Sequence, residues 1–271
     1  MKKILTTKKI RKNKVNHGFA PLQMLTCYDY QSACLLDETE LDLILVGDSL
    51  GNVVLGYDTT VEVSLEEMTV FTSAVKRGAK NTFVVGDLPF GSYSTLESAL
   101  KNAIHLFQKS KVEALKLEGA FPHQLEIIQR LTQTGIPIMG HIGLTPQSVH
   151  QLGGYYMHGK KSKTAEALKK QAQALEEAGC FAIVLECVEA NLSEEITKDL
   201  SIPTIGIGSG QKTDGQVLVL NDLLNMGPLP PPSFCQPIAN LYQIKKNYIG
   251  QYLSEQKSNQ LPINETEVTL H

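Results

Sequence analysis

Short runs of consecutive apolar residues alternate along this chain with longer stretches in which apolar residues recur every three or four positions. That alternation is the pattern of repeated strand–helix units. Eight runs read as strands: Pro21–Thr26, Leu41–Gly47, Thr82–Gly86, Ala114–Leu117, Ile136–Gly140, Phe181–Leu185, Pro203–Ile207 and Val217–Leu220. Most lack a polar–apolar alternation, as expected for parallel strands buried on both faces. The phrases GIPIMG (135–140) and SIPTIG (201–206) echo one another, as units of a repeat should.

The stretches between strands carry helix start and stop signals. Ser64 with Glu67 forms a capping box, followed by Leu65, Met68, Phe71 and Val75 along one face. Lys76 and Arg77 suit the C-terminal dipole, and Gly78 is expected to end that helix in a left-handed conformation. Ser94 with Glu97 is expected to open the next helix, Pro122 occupies a first turn, and Gly135 closes the helix that follows. Further helices are expected over about 164–178 and after Asn191. The pattern predicts a single (β/α)₈ TIM barrel with an N-terminal helix. A doubly wound open sheet has the same strand count and is the second choice.

After Gly227 the texture changes. Pro228, Pro230, Pro231, Pro232 and Pro237 cannot continue a helix or a central strand, and Ile238–Leu253 then regains helical spacing. The expected organisation is therefore a barrel over residues 1–226 and a C-terminal helical extension over 227–271 that is not an independent domain.

A length of 271 residues fits one barrel, and 42% apolar with 20% charged residues allows a large core. A formal charge of −3 and a pI near 6.2 give no electrostatic case for a nucleic-acid partner or an acidic membrane surface. The five cysteines include no CxxC pair, which favours reduced thiols over a disulfide framework or a zinc site. The basic segment MKKILTTKKIRKNKV leads into no apolar stretch of signal-peptide type, so a cytoplasmic location is expected.

The chemistry is suggested by where acids fall. LILVGD ends in Asp48, FVVGD in Asp87, ALKLE in Glu118 and AIVLE in Glu186, each at the C-terminal end of an expected strand. In a barrel those ends share the face on which active sites lie. One such acid is more simply a helix cap or a solvated group, but four in phase would repel unless a cation or protons compensate. Hard oxygen ligands with no equivalent histidine or cysteine point to Mg²⁺. Lys116 shares a face with Glu118. It can bind a substrate anion, pair with a neighbouring acid, or act as a Schiff-base amine, of which anion binding fits the rim best. His141, after IPIMG, is either a hydrogen-bonded core residue or a rim contact to the reactants. Residues 206–213 nearly spell a phosphate-binding loop, but Gln211 replaces the glycine before the lysine, which excludes nucleotide binding there.

TCYDYQSA, LVGDSLGNVVLGYDTT, AVKRGA, GDLPFGSY, ALKLEGA, PIMGHIGLTPQSV, LEC and IPTIGIGSG with TDGQ occur in order between Phe19 and Leu224. In these segments the chain resembles the ketopantoate hydroxymethyltransferase family. The resemblance implies transfer of a hydroxymethyl group from 5,10-methylenetetrahydrofolate to 3-methyl-2-oxobutanoate, through a Mg²⁺-stabilised enolate, in pantothenate synthesis. It implies Mg²⁺ on Asp48, Asp87 and Glu118, substrate contacts from Asp48, Ser49, Asp87 and Lys116, Glu186 as general base, and a homo-oligomer, a decamer in the family. The chain departs from the family after the eighth strand, where PPPSFCQPIANLY lacks the lysines of the usual PKFVK form. Two rival readings are a related Mg²⁺ barrel lyase or aldolase that needs no folate, and a catalytically silent scaffold.

Overall fold

In the computed structural model, which describes residues 5–257, all eight expected strands form and close into one parallel barrel in sequential order. They are β1 (Leu22–Thr26), β2 (Leu43–Val46), β3 (Phe83–Asp87), β4 (Ala114–Glu118), β5 (Ile138–Gly143), β6 (Ala182–Glu186), β7 (Thr204–Ile207) and β8 (Gly215–Leu218). Pairing of β1 with β8, Leu22 opposite Gly215 through Leu25 opposite Leu218, closes the sheet and excludes the open alternative. The helices are α1 (Thr7–Arg11), α2 (Tyr30–Asp37), α3 (Leu65–Gly78), α4 (Leu96–Ser110), α5 (Pro122–Gln133), α6 (Val149–Leu152), α7 (Ser162–Glu177), α8 (Ala190–Asp199), α9 (Leu220–Leu223) and α10 (Leu241–Lys257). No described helix is long and apolar enough to cross a membrane.

Strand parity builds the core. Leu22 and Met24, Leu43 and Leu45, Phe83 and Val85, Ala114, Met139, Ala182 and Val184, Ile205 and Ile207, and Val217 form one buried cluster. These are alternate positions, the side chains that one face of each strand presents. Ile10 of α1 joins them and is fully buried, so the expected N-terminal helix packs into the barrel core.

Two helix termini differ from the sequence reading. The cap of α4 is Thr95, whose Oγ1 accepts from Ser98 N at 3.2 Å, one residue beyond the Ser94–Glu97 pairing expected. Gly78 is the last residue of α3 and not a left-handed cap. It is glycine because a Cβ there would lie 2.6 Å from Tyr30 O and 2.8 Å from Ala33 Cβ of α2. The capping box of Ser64 and Glu67 and the left-handed Gly135 (φ +98°) stand as expected.

The chain divides into two compact units, Met1–Leu220, which holds the barrel, and Asn221–His271. In the second, α10 follows the proline-rich segment and buries none of its residues.

Candidate active site

Continuing the inward parity of the strands past the apolar core reaches charge. Phe83 and Val85 are followed by Asp87, Ala114 by Lys116 and Glu118, Met139 by His141, and Ala182 and Val184 by Glu186. The same face of each strand is thus apolar along its length and ionic at its C-terminal end. Asp48 enters from the turn after β2. Asp48, Asp87, Lys116, Glu118 and His141 are all at least 96% buried.

Register decides who touches whom. Asp87 pairs in register with Lys116, and Glu118 with His141. Accordingly Lys116 Nζ donates to Asp87 Oδ2 at 2.6 Å and lies 3.4 Å from Glu118 Oε1. His141 Nδ1 lies 3.3 Å from Glu118 Oε1, and its Nε2 lies 3.3 Å from Glu186 Oε2. Neither nitrogen is in hydrogen-bond alignment, so both contacts are electrostatic. Asp48, Asp87 and Glu118 each bring one ligand oxygen to within 4.8 Å of the others, while Glu186 stands across His141 from them.

The electrostatics follow from burial and crowding. Burial, reinforced by the carboxylates of Asp87 and Glu118, holds Asp48 well above the usual carboxylate range. Burial also raises Asp87, although Lys116 pulls against it. For Glu118 burial is outweighed by Lys116 and His141, and the carboxyl is lowered. Burial and Lys116 oppose charge on His141, but Glu118 and Glu186 prevail and raise it to about 9. Burial would neutralise Lys116, yet Asp87, Glu118 and Asp48 raise it, so the amine is held as an ammonium. That disfavours the Schiff-base reading. The acids suit a hard divalent cation. In addition, Asp87 Oδ1 is buried with no hydrogen-bond partner among the described residues, an acceptor that a cation would satisfy.

Glu186 is fixed by its backbone. Its carbonyl accepts from Leu144 N at 2.8 Å, and a Cβ on Gly143 (φ +96°) would lie 2.2 Å from that same oxygen, so only glycine lets β5 end so close. The next residue, Cys187, is held at φ +48° by hydrogen bonds to Ile207 O and from His158 N. A non-glycine residue in that region is a strained conformation of the kind found at functional sites. Ser49 Oγ sits 2.8 Å from the Tyr28 hydroxyl.

Three neighbours of the site were not assigned roles from the sequence. Gln147, in GHIGLTPQSV, hydrogen-bonds Asp48 and Glu118, and Tyr93, in GDLPFGSY, hydrogen-bonds Gln147. The phenol of Tyr155, a largely exposed residue, is raised by burial and by the charges of Glu186, Asp48 and Glu118. Tyr93 and Tyr155 lie in loops and Gln147 in a single 3-10 turn (Pro146–Ser148), all too short for periodicity to mark an inward residue.

A family profile described as ketopantoate hydroxymethyltransferase matches residues 4–264. A 3-methyl-2-oxobutanoate hydroxymethyltransferase of Bacillus cereus (strain G9842) is 50% identical over 258 residues, covering 95% of this chain and 92% of the relative. Among solved structures, 2,3-dimethylmalate lyase of the PEP mutase/isocitrate lyase superfamily aligns with a TM-score of 0.60 at 14% identity, over 98% of this chain and 92% of that one. Phosphonopyruvate hydrolase, solved with oxalate and Mg²⁺, aligns with a TM-score of 0.61 at 10% identity over the same shares, 98% and 92%. At those identities the likeness is one of fold alone.

Proposed function

The chain belongs to the ketopantoate hydroxymethyltransferase family, and from that membership we propose that it transfers a hydroxymethyl group from 5,10-methylenetetrahydrofolate to 3-methyl-2-oxobutanoate, giving 2-dehydropantoate. The observation that carries the reading is the convergence of Asp48, Asp87 and Glu118, with ligand oxygens within 4.8 Å, on the rim that also holds Glu186. Asp48, Asp87 and Glu118 would hold Mg²⁺. When bound, the ion supplies Lewis acidity to the substrate's ketone and carboxylate oxygens, worth several kcal/mol of charge stabilisation. Lys116 and Ser49 bind and orient the substrate carboxylate. Glu186 takes the proton from C3, a role worth roughly 10²–10⁴ in rate. C3 then bonds to the one-carbon unit of the folate, whose two C–N bonds break as water supplies the hydroxyl oxygen and the nitrogens take up protons, and tetrahydrofolate leaves. His141, between Glu118 and Glu186, is a rim contact rather than a core histidine in this reading. The family reading also carries a homo-oligomer, a decamer, and a cytoplasmic location; light scattering checks the first.

The test is exchange of the substrate's C3 proton with deuterated water, followed by NMR without folate. Glu186→Gln should retain binding of Mg²⁺ and of the oxo acid yet lose exchange by roughly 10²–10⁴. Normal exchange in that variant removes Glu186 from the mechanism. Asp87→Asn should weaken metal and substrate binding together, and an unchanged Mg²⁺ requirement counts against its ligand role. Full turnover without the folate would instead indicate a lyase.

A further inference from the structure

Two carboxylates of the acidic cluster are held by one neutral residue, one through its side chain and one through its backbone. Gln147 lies in the one-turn 3-10 helix Pro146–Ser148 between β5 and α6 and is 5% exposed. Its Nε2 donates to Asp48 Oδ2 at 2.8 Å and to Leu88 O at 3.0 Å, and its backbone N donates to Glu118 Oε2 at 3.2 Å. Both amide hydrogens and the main-chain N–H of Gln147 are therefore spent on groups that line the acids. An amide can be turned over at little cost in shape, which would present its oxygen to Asp48 and set two acceptors against each other. Leu88 O, which can only accept, opposes that alternative, and Tyr93, buried at 8% exposure after β3, donates its hydroxyl to Gln147 Oε1 and anchors the amide in this orientation. With the oxygen on Tyr93 and one amide hydrogen on Leu88 O, the other amide hydrogen is directed at Asp48.

The geometry points to Gln147 and Tyr93 as positioning residues of the metal site: Gln147 holds one oxygen of Asp48 through its side-chain amide and one of Glu118 through its backbone N–H, and Tyr93 anchors that side chain. The inference rests on the proposed reading that Asp48, Asp87 and Glu118 ligate a divalent cation. A neutral donor is the chemistry required here. A lysine or arginine in its place would compete with the cation for the carboxylates, and an apolar side chain would leave Asp48 Oδ2 buried and unpaired. By engaging Oδ2 of Asp48, Gln147 leaves Oδ1 for the ion, and by holding Oε2 of Glu118 it fixes the carboxylate whose Oε1 faces Lys116 and His141. Partners of this kind set ligand orientation, and their removal typically weakens metal affinity 10- to 100-fold.

The experiment is direct titration with Mn²⁺, by calorimetry and by paramagnetic relaxation of water, on the full chain without substrate. Gln147→Met keeps the volume and removes the side-chain donors; it should weaken Mn²⁺ binding roughly 10- to 100-fold. Tyr93→Phe removes a single oxygen and should weaken it less, in the same direction. Circular dichroism and thermal melting confirm that each variant is folded, and saturating Mn²⁺ should restore much of kcat to both. Wild-type affinity in a folded Gln147→Met, or a turnover defect in Tyr93→Phe that added metal does not relieve, overturns the inference while leaving the acids as ligands. Absence of Mn²⁺ binding in the wild-type chain overturns the metal reading itself, and the inference with it.

Discussion

Lys116 shows how a single side chain is decided by its neighbours. In the sequence its ammonium could serve an anion, an acid or a Schiff base, and the register of β3 against β4 sets it 2.6 Å from Asp87 Oδ2. The acids themselves were legible because each follows an apolar run at a strand end. Gln147 was not legible, since a neutral residue in a loop acquires its meaning only when two distant turns meet. The cysteines give a prediction at this scale. Burial, against hydrogen bonds that favour the thiolate, raises Cys27 and Cys180 each to about 12. At pH 8 a thiol of that kind is deprotonated in about one molecule in 10⁴, and the thiolate is the reactive form. Native protein treated with iodoacetamide should therefore label the half-buried Cys34 first, with Cys27 and Cys180 silent until urea is added. Peptide mass spectrometry reads the result, and early labelling of Cys180 would show that the barrel wall opens locally.

Among the elements, the strands were easier to read than the helix ends. A strand buried on both faces writes itself as an unbroken apolar run, and all eight runs became strands. Helix ends depend on competition among local signals. Thr95 displaced Ser94 as a cap because its hydroxyl and backbone both engage Ser98. Gly78 follows two basic residues, as a terminating glycine does, but its role is set by α2 packed across it. Gly78→Ala should accordingly destabilise the protein. The better helix propensity of alanine, about 1 kcal/mol, is opposed by contact with backbone atoms of Tyr30 and Cys34 that cannot turn aside. A net loss of about 1–3 kcal/mol is expected from overpacking of this type, measurable by urea denaturation. A gain in stability would mean that α2 yields freely.

At the scale of the whole molecule, closure is secured on the side opposite the acids. Lys14 Nζ donates to Asp214 Oδ2 at 2.7 Å, to Thr197 O at 2.5 Å and to Ile202 O at 3.2 Å, with both charged side chains 1% exposed. Asp214 also accepts from Val15 N and Thr204 N, and its carbonyl accepts from Leu22 N at the start of β1. The TDGQ segment, which in the sequence is a mark of family likeness, thus begins β8 and ties the chain start to β7 and β1. Closure could not be read from strand count because this ion pair joins residues 200 positions apart. Lys14→Met should cost about 3–5 kcal/mol, since it leaves a buried carboxylate without its cation. Chemical denaturation measures the loss, and a change below about 1 kcal/mol would show that Asp214 is compensated by its backbone donors alone.

That pairing also sets an order of events during synthesis. Lys14 leaves the ribosome 200 residues before the carboxylate that neutralises it. At 5–20 residues per second the delay is roughly 10–40 s. Until then the lysine lacks its native acid, and β1, which can already pair with β2, lacks its other neighbour, β8. The barrel is therefore completed by its final strand, and a nascent chain stopped before Asp214 exposes its basic N-terminus to any protease or chaperone that finds it.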